Sequence, residues 1–344
     1  MGFIISAVSS VLVFSVVIII HELGHFVVAK KSGIRVNEFS IGMGPRLLGF
    51  TKGETEYSVR AFPIGGFVAM EGENEESESE DSFSKAPVAN RIAVVVAGAV
   101  MNLLLGFAIL LFMTVSQDAI TSKTISVFHE NAMTQQTGLQ VDDEIIAVNG
   151  RRCYIANDII YEFARTQDGT VDLLVRRDGK KVELDGVTFE TYVDENGMKQ
   201  LVLDFYVYPA EKTVVSVVNE AVNWTISYAR TIVLSLVDML TGNVAINQMS
   251  GPVGIVSVIS EATSIGLESV LNILALITIN LGVFNLVPFP ALDGGRLVFL
   301  LIELFRGKPL DPKYEIFVST AGMLALLAFM ALVTFSDITR LIGF

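Results

Sequence analysis

The sequence predicts an α-helical polytopic membrane protein with four transmembrane helices and one soluble domain inserted between the second and the third. Three observations predict it. The 344-residue chain is 51% hydrophobic with a mean hydropathy of +0.56, high for a soluble protein. Its apolar residues gather in runs of about 20, the length a bilayer core requires. Between two of those runs lies a polar stretch, 116–219, punctuated by strand and turn signals.

The first run, Phe3 to Ile20, carries no charge and ends on His21-Glu22-Leu23-Gly24-His25. It lacks a basic leading region and a small-residue cleavage site, so it reads as a retained span of about Phe3–Phe26 rather than a signal peptide. On a helix His21 and His25 are i and i+4 and project from one face, a spacing that presents two nitrogen ligands to one zinc ion. Glu22 stands beside them to take a proton from water. Ionisable residues at membrane depth cost about 2.5–3.5 kcal/mol each at a helix centre, which favours a functional role over chance.

Further spans are expected at about Ile92–Val115, Val270–Leu286 and Phe317–Phe335. Val222–Leu240 is a fifth apolar candidate, but Trp224, Arg230 and Asp238 suit a helix lying in the interface. Basic residues fall in two short loops. Lys30, Lys31, Arg35, Arg46, Arg60 and Arg91 follow the first span, and Arg296, Arg306, Lys308 and Lys313 follow Asp293. Both loops are therefore expected on the cytoplasmic side, with the termini and the polar domain outside.

A catalytic zinc site commonly uses three protein ligands. The chain's only other histidine, His129, lies in the polar domain. In Asn285-Leu286-Val287-Pro288-Phe289-Pro290-Ala291-Leu292-Asp293-Gly294-Gly295, two prolines end or unwind the preceding helix. Asp293 then stands as the best carboxylate at membrane depth, a turn or N-cap aspartate being the plain alternative. Asp293 can meet His25 only if Val222–Leu240 does not cross the membrane; otherwise the two lie about 30 Å apart on opposite faces. Four spans follow.

Composition excludes other classes. The net charge of −13, with no basic stripe, excludes nucleic acid as a partner. Cys153 is the only cysteine, so neither an internal disulfide nor a cysteine zinc site is available. The acidic run Glu71–Asp81 reads as a solvated loop.

His-Glu-Leu-Gly-His ending the first span, together with Asn-Leu-Val-Pro-Phe-Pro-Ala-Leu-Asp-Gly-Gly late in the chain, resembles the site-2 protease family, and most closely its RseP-type bacterial intramembrane zinc proteases. Phe39–Pro45 and Arg60–Val68 resemble that family's membrane-associated β segments, and Ser250–Ile255 its Gly-Pro-Val-Gly loop. Gly98-Ala99-Val100-Met101-Asn102 resembles a second-span motif, with Ala99 where a proline is usual, so a straighter helix is expected. The stretch Asn131–Gly150, with its Asn149-Gly150 turn, resembles an α+β PDZ domain. Asp142-Asp143 stands there in place of the family's Gly-Asp.

The resemblance implies three parts. Residues 1–115 would form an N-terminal membrane half, 116–212 an extracytoplasmic PDZ-like domain, and 213–344 a C-terminal membrane half. His21, His25 and Asp293 would ligate Zn2+, Glu22 would be the general base, and Asn285 and Asn102 would position substrate. The implied activity is hydrolysis of transmembrane segments of single-span membrane proteins in a bacterial cell membrane, with the active site toward the cytoplasm. Anti-sigma factors and remnant signal peptides are the substrates such relatives cut. A strand edge around Tyr57–Ala69 would pair with an unwound substrate, and a peptide at the PDZ domain is a further expected partner. The competing readings are a non-proteolytic metal-binding scaffold, which has no need of Glu22, and a transporter, which the lack of a repeated half disfavours.

Overall fold

The computed structural model describes residues 2–73, 77–166, 168–193, 199–242 and 251–342. The chain divides into two compact units, one formed by Met1–Ile109 with Thr231–Phe344 and the other by Leu110–Arg230.

Among the described residues four helices, lying wholly or mostly in the first unit, are long and apolar enough to cross a membrane. These are α1 (Gly2–Lys31), α2 (Val88–Ser116), α7 (Leu267–Leu286) and α9 (Pro312–Ile342). Side chains such as Leu12, Leu324 and Phe335 point outward along them, more than 60% exposed. Water does not tolerate so much apolar surface in one place, whereas lipid covers it without cost. The pattern is that of a membrane protein. Helix α5 (Val214–Leu240) is not among the candidate spans. It buries Val217, Ala221 and Trp224 and exposes Val218, Val222, Ile226, Val233 and Val237.

A short apolar helix, α6 (Pro252–Ile265), was not foreseen from sequence. Of the Gly-Pro-Val-Gly motif, Ser250 lies outside the described residues, and Gly251–Ile255 opens α6. There the carboxylate of Asp337 from α9 accepts the backbone N–H groups of Gly251 (3.1 Å) and Gly254 (2.8 Å), satisfying donors a helix start leaves bare.

After α1, strands β1 (Val36–Lys52) and β2 (Thr55–Met70) form an antiparallel pair that folds back on itself. Phe39 stands beside both Tyr57 and Val68, and Ile41 beside both Val59 and Gly66. Tyr57 itself stands between Phe39 and Phe50. The expected free edge around Tyr57–Ala69 is therefore confined to its final segment, from Gly66 onward. Leu47, Leu48, Phe50 and Phe62 are exposed on this sheet. Ala29, Ile34, Val36, Val68, Val94 and Leu300 join the end of α1, both strands, α2 and α8 (Asp293–Arg306) in one core.

In the second unit the sheet order is β10-β3-β4-β6-β7. Its strands are β3 (Ile120–Phe128), β4 (Glu144–Val148), β6 (Thr170–Arg177), β7 (Lys180–Thr188) and β10 (Phe205–Ala210), with β5 (Arg151–Arg152) paired to β4. Alternation puts Val171, Leu173 and Val175 of β6 inside, where they pack with Ile145, Phe163 and Phe189. Asn149 and Gly150 both take positive φ, 47° and 74°, the backbone a two-residue hairpin turn demands. Asp142 is held at φ 69°, a backbone that glycine adopts without strain. Asp143 beside it is buried in a two-bond pairing with Arg177, at 2.8 and 2.7 Å. His129 is exposed against the Tyr206 ring, and burial pushes the Cys153 thiol up to about 12, so it is inert.

Candidate metal centre

The site begins at a close approach of two helices. Gly24 of α1 faces Ala97 and Met101 of α2; a Cβ there would overlap the Ala97 carbonyl and stand 2.9 Å from the Met101 side chain. Four residues along α2 from Val94 comes Gly98, and four further on comes Asn102, so the three form one stripe under the His21 and His25 rings. Val94 offers its carbonyl to Nδ1 of His25 at 2.8 Å. A carbonyl only accepts, so Nδ1 carries the proton and Nε2 keeps its lone pair. Gly98 leaves room for both rings, and Asn102 stands 3.4 Å from Nδ1 of His21.

Asp293 arrives from the other end of the chain. Helix α7 stops at Leu286, and Pro288 and Pro290 keep the next residues extended or turned. Ala291 adopts φ 74°, and α8 then starts at Asp293. The two glycines after it are needed for contact rather than flexibility. A Cβ on Gly294 would overlap Val287, and one on Gly295 would stand 2.5 Å from the Phe289 carbonyl oxygen. On α9, Gly322 accommodates Pro290 in the same way.

Three atoms converge as a result. Nε2 of His21 and Nε2 of His25 are 3.2 Å apart, and Oδ2 of Asp293 lies 3.1 Å from the first and 3.3 Å from the second. Both histidines are 8% exposed, and Oδ2 of Asp293 is buried without a hydrogen-bond donor. Three electron-rich atoms turned on one another need a cation between them. A tetrahedral zinc ion with bonds of about 2.0–2.1 Å places its donors about 3.3 Å apart, so this donor set and spacing fit zinc.

A cavity of about 630 Å3 opens on the cluster, lined by His21, Glu22, His25 and Asp293 together with the strand from Phe67 to Met70. Gly66 lets that strand pass close to Glu22: a Cβ there would stand 3.3 Å from its Cγ. The structure thus gathers His21, Glu22, His25 and Asp293 around one cavity. Asn285, buried in the last turn of α7, and Asn102 do not line it.

Sequence reasoning missed the far wall. In the acidic run, Asn74, Glu75 and Glu76 lie outside the described residues and Glu78 and Glu80 are exposed as expected, but Glu71, Gly72, Glu73 and Ser77 line the cavity. Arg296 pairs with the Glu73 carboxylate, donates to the Glu73 carbonyl at 2.7 Å and covers the Phe83 ring at 4.7 Å. The Glu71 backbone bonds to Arg35 and Phe83, and Asn37 and Ser77 donate to its carboxylate, holding it below the usual range. Arg296 stands one helical turn after Asp293, the one signal that could have marked it.

The peptidase family M50 model matches residues 9–329. The chain belongs to peptidase family M50. A relative from Clostridium acetobutylicum is 35% identical over 342 residues, covering 98% of each chain. Two further members of similar reach are the Regulator of sigma-W protease RasP of Bacillus subtilis and Zinc metalloprotease RasP of Bacillus licheniformis. Each is 29% identical across 98% of this chain and 99% of its own. Among solved structures, the PDZ domain of an SdrC-like protein from Listeria innocua aligns with 28% of this chain and 98% of its own at 15% identity, with a TM-score of 0.19.

Proposed function

We propose that this chain is an intramembrane zinc endopeptidase that cuts transmembrane segments of single-span membrane proteins, with His21, His25 and Asp293 as ligands and Glu22 as general base. The chain is a zinc metalloendopeptidase by family. The observation that carries the residue assignment is the convergence of two imidazole nitrogens and one buried carboxylate oxygen within 3.3 Å of one another.

Bound there, zinc supplies a Lewis acid for the scissile carbonyl and acidifies water at neutral pH. Glu22, on the cavity wall, takes the proton of the attacking water and passes it to the leaving nitrogen. A helical substrate hides its carbonyls in backbone bonds, and each one freed in lipid costs several kcal/mol until re-paired. The strand Gly66–Met70 runs along the cavity beside Glu22, and an unwound substrate segment adds to it as a further strand.

The chain is read as three parts, 1–115, 116–212 and 213–344, with α5 lying in the interface. The basic loops on either side of the cluster support an active site on the cytoplasmic side and the PDZ-like domain outside. That domain acts as a size filter or holds a peptide. One relative's name, Regulator of sigma-W protease, supports anti-sigma factors as a substrate class; remnant signal peptides are the second class proposed.

The test is Glu22→Gln in full-length protein. Zinc content is expected to stay at one per chain, and cleavage of a single-span substrate to fall at least 100-fold, the low end of what a general base contributes. Turnover at the wild-type rate would refute the assignment.

A further inference from the structure

We propose that Asn102 is a positioning residue for the metal centre, its side-chain oxygen accepting the Nδ1–H of His21 and so holding the lone pair of Nε2 toward the ion. The inference rests on the zinc reading above and assigns Asn102 to the ligand rather than to the substrate. Asn102 is fully buried and borders no part of the cavity, so no substrate backbone reaches it. What it does reach is His21, at 3.4 Å from Nδ1.

The chemistry of that contact has one workable sense. An amide N–H directed at Nδ1 requires a lone pair there, which leaves the proton of a neutral ring on Nε2. Yet Nε2 is the atom that faces His25 and Asp293, and a protonated Nε2 cannot ligate. The amide nitrogen stands toward His21 and leaves Oδ1 of Asn102 buried with no partner. A half-turn about the last side-chain bond exchanges the two ends of the amide. Oδ1 then accepts from Nδ1–H, an unsatisfied buried acceptor disappears, and Nε2 is free to bind. His25 already has this arrangement, made by the Val94 carbonyl two stripe positions below. The two ligands are thus oriented from the same face of α2, one by main chain and one by side chain.

Asn102 is itself held from behind. Its backbone carbonyl accepts the hydroxyl of Thr278 on α7 at 3.2 Å. Gly106 and Gly282 let α2 and α7 approach closely around that bond: a Cβ on Gly106 would stand 2.9 Å from the end of Ile279, and one on Gly282 would stand 3.0 Å from the Ala99 carbonyl. Helix α7 leads directly into the Asp293 turn, so the same packing that fixes Asn102 places the third ligand.

The experiment uses the full-length protein in lipid nanodiscs, stripped with a chelator and titrated with zinc against a chromophoric competitor. Asn102→Leu is expected to weaken zinc binding about 10–100-fold, and Asn102→Asp, which keeps the acceptor, to stay within a few-fold of wild type. With only three histidines in the chain, 15N spectra of the zinc-loaded wild type resolve the His21 ring nitrogens and are expected to show Nδ1 protonated. A metal-bound or unprotonated Nδ1 there overturns the proposal even if the leucine variant fails to fold. A metal-bound Nδ1 on His21, or Asn102→Leu that holds zinc like wild type while its KM rises, would overturn the inference alone. A wild type that takes up no zinc would overturn the metal-site assignment and this inference with it.

Discussion

Gly98 of α2 and His25 of α1 touch at a point where no side chain fits. A Cβ on Gly98 would overlap Nε2 of His25 and stand 2.7 Å from Cε1 of His21. Gly98→Ala is therefore expected to push the rings off Asp293. Overpacking of this kind costs about 1–3 kcal/mol, enough to weaken zinc binding roughly tenfold or more. Metal content after dialysis, with membrane insertion as the control, checks it; a Gly98→Ala protein with full zinc and full activity would show that the approach is not tight.

Arg91 of α2 and Glu303 of α8 form a forked ion pair, both side chains close to nine-tenths buried. It ties the helix that orients the imidazoles to the helix that begins with Asp293. Removing one partner strands a buried charge, so Arg91→Ala or Glu303→Ala should each cost about 3–5 kcal/mol. Replacing both by methionine should recover most of that loss, because no lone charge remains. Denaturant unfolding of the four proteins in one detergent reads the cycle. Equal losses in the single and double variants would contradict it.

Glu220, near the start of α5, makes the second unit pH-sensitive. Burial pushes its carboxyl up to about 7, Asp158 adds to the rise and Lys123 opposes it. An unfolded glutamate titrates near about 4.3. Between those two values the folded state holds the proton more tightly, so stability falls as pH rises from about 4.3 to 7 and then levels. Trp224, the only tryptophan and buried on the same helix, reports the transition by fluorescence. Glu220→Gln is expected to flatten the pH slope of the melting midpoint across that window; an unchanged slope would mean another group sets it.

Much of the site was legible early because its signals are local. The i, i+4 spacing of His21 and His25 and the proline-broken approach to Asp293 can be read within a few residues each. The Gly98–Asn102 motif was visible too, but not its role, because which ring a buried asparagine meets depends on how α1 crosses α2. The run from Glu71 to Asp81 looked like a solvated acidic loop. Glu73 is instead held by Arg296, more than 200 residues away, and no local pattern announces such a partner.

By itself the sequence determined the apolar helices, the alternating strands and left-handed turns of the inserted unit, and the two imidazoles on one helix face. Each of these follows from hydrophobic period and backbone preference over neighbouring residues. Only the tertiary structure decided that Asp293 reaches those imidazoles, that Val94, Gly98 and Asn102 of α2 lie beneath them, and that the strand from Phe67 rather than Tyr57 borders the cavity. Those facts depend on which surfaces pack together, and packing is set by glycine-sized clearances between segments far apart in the chain.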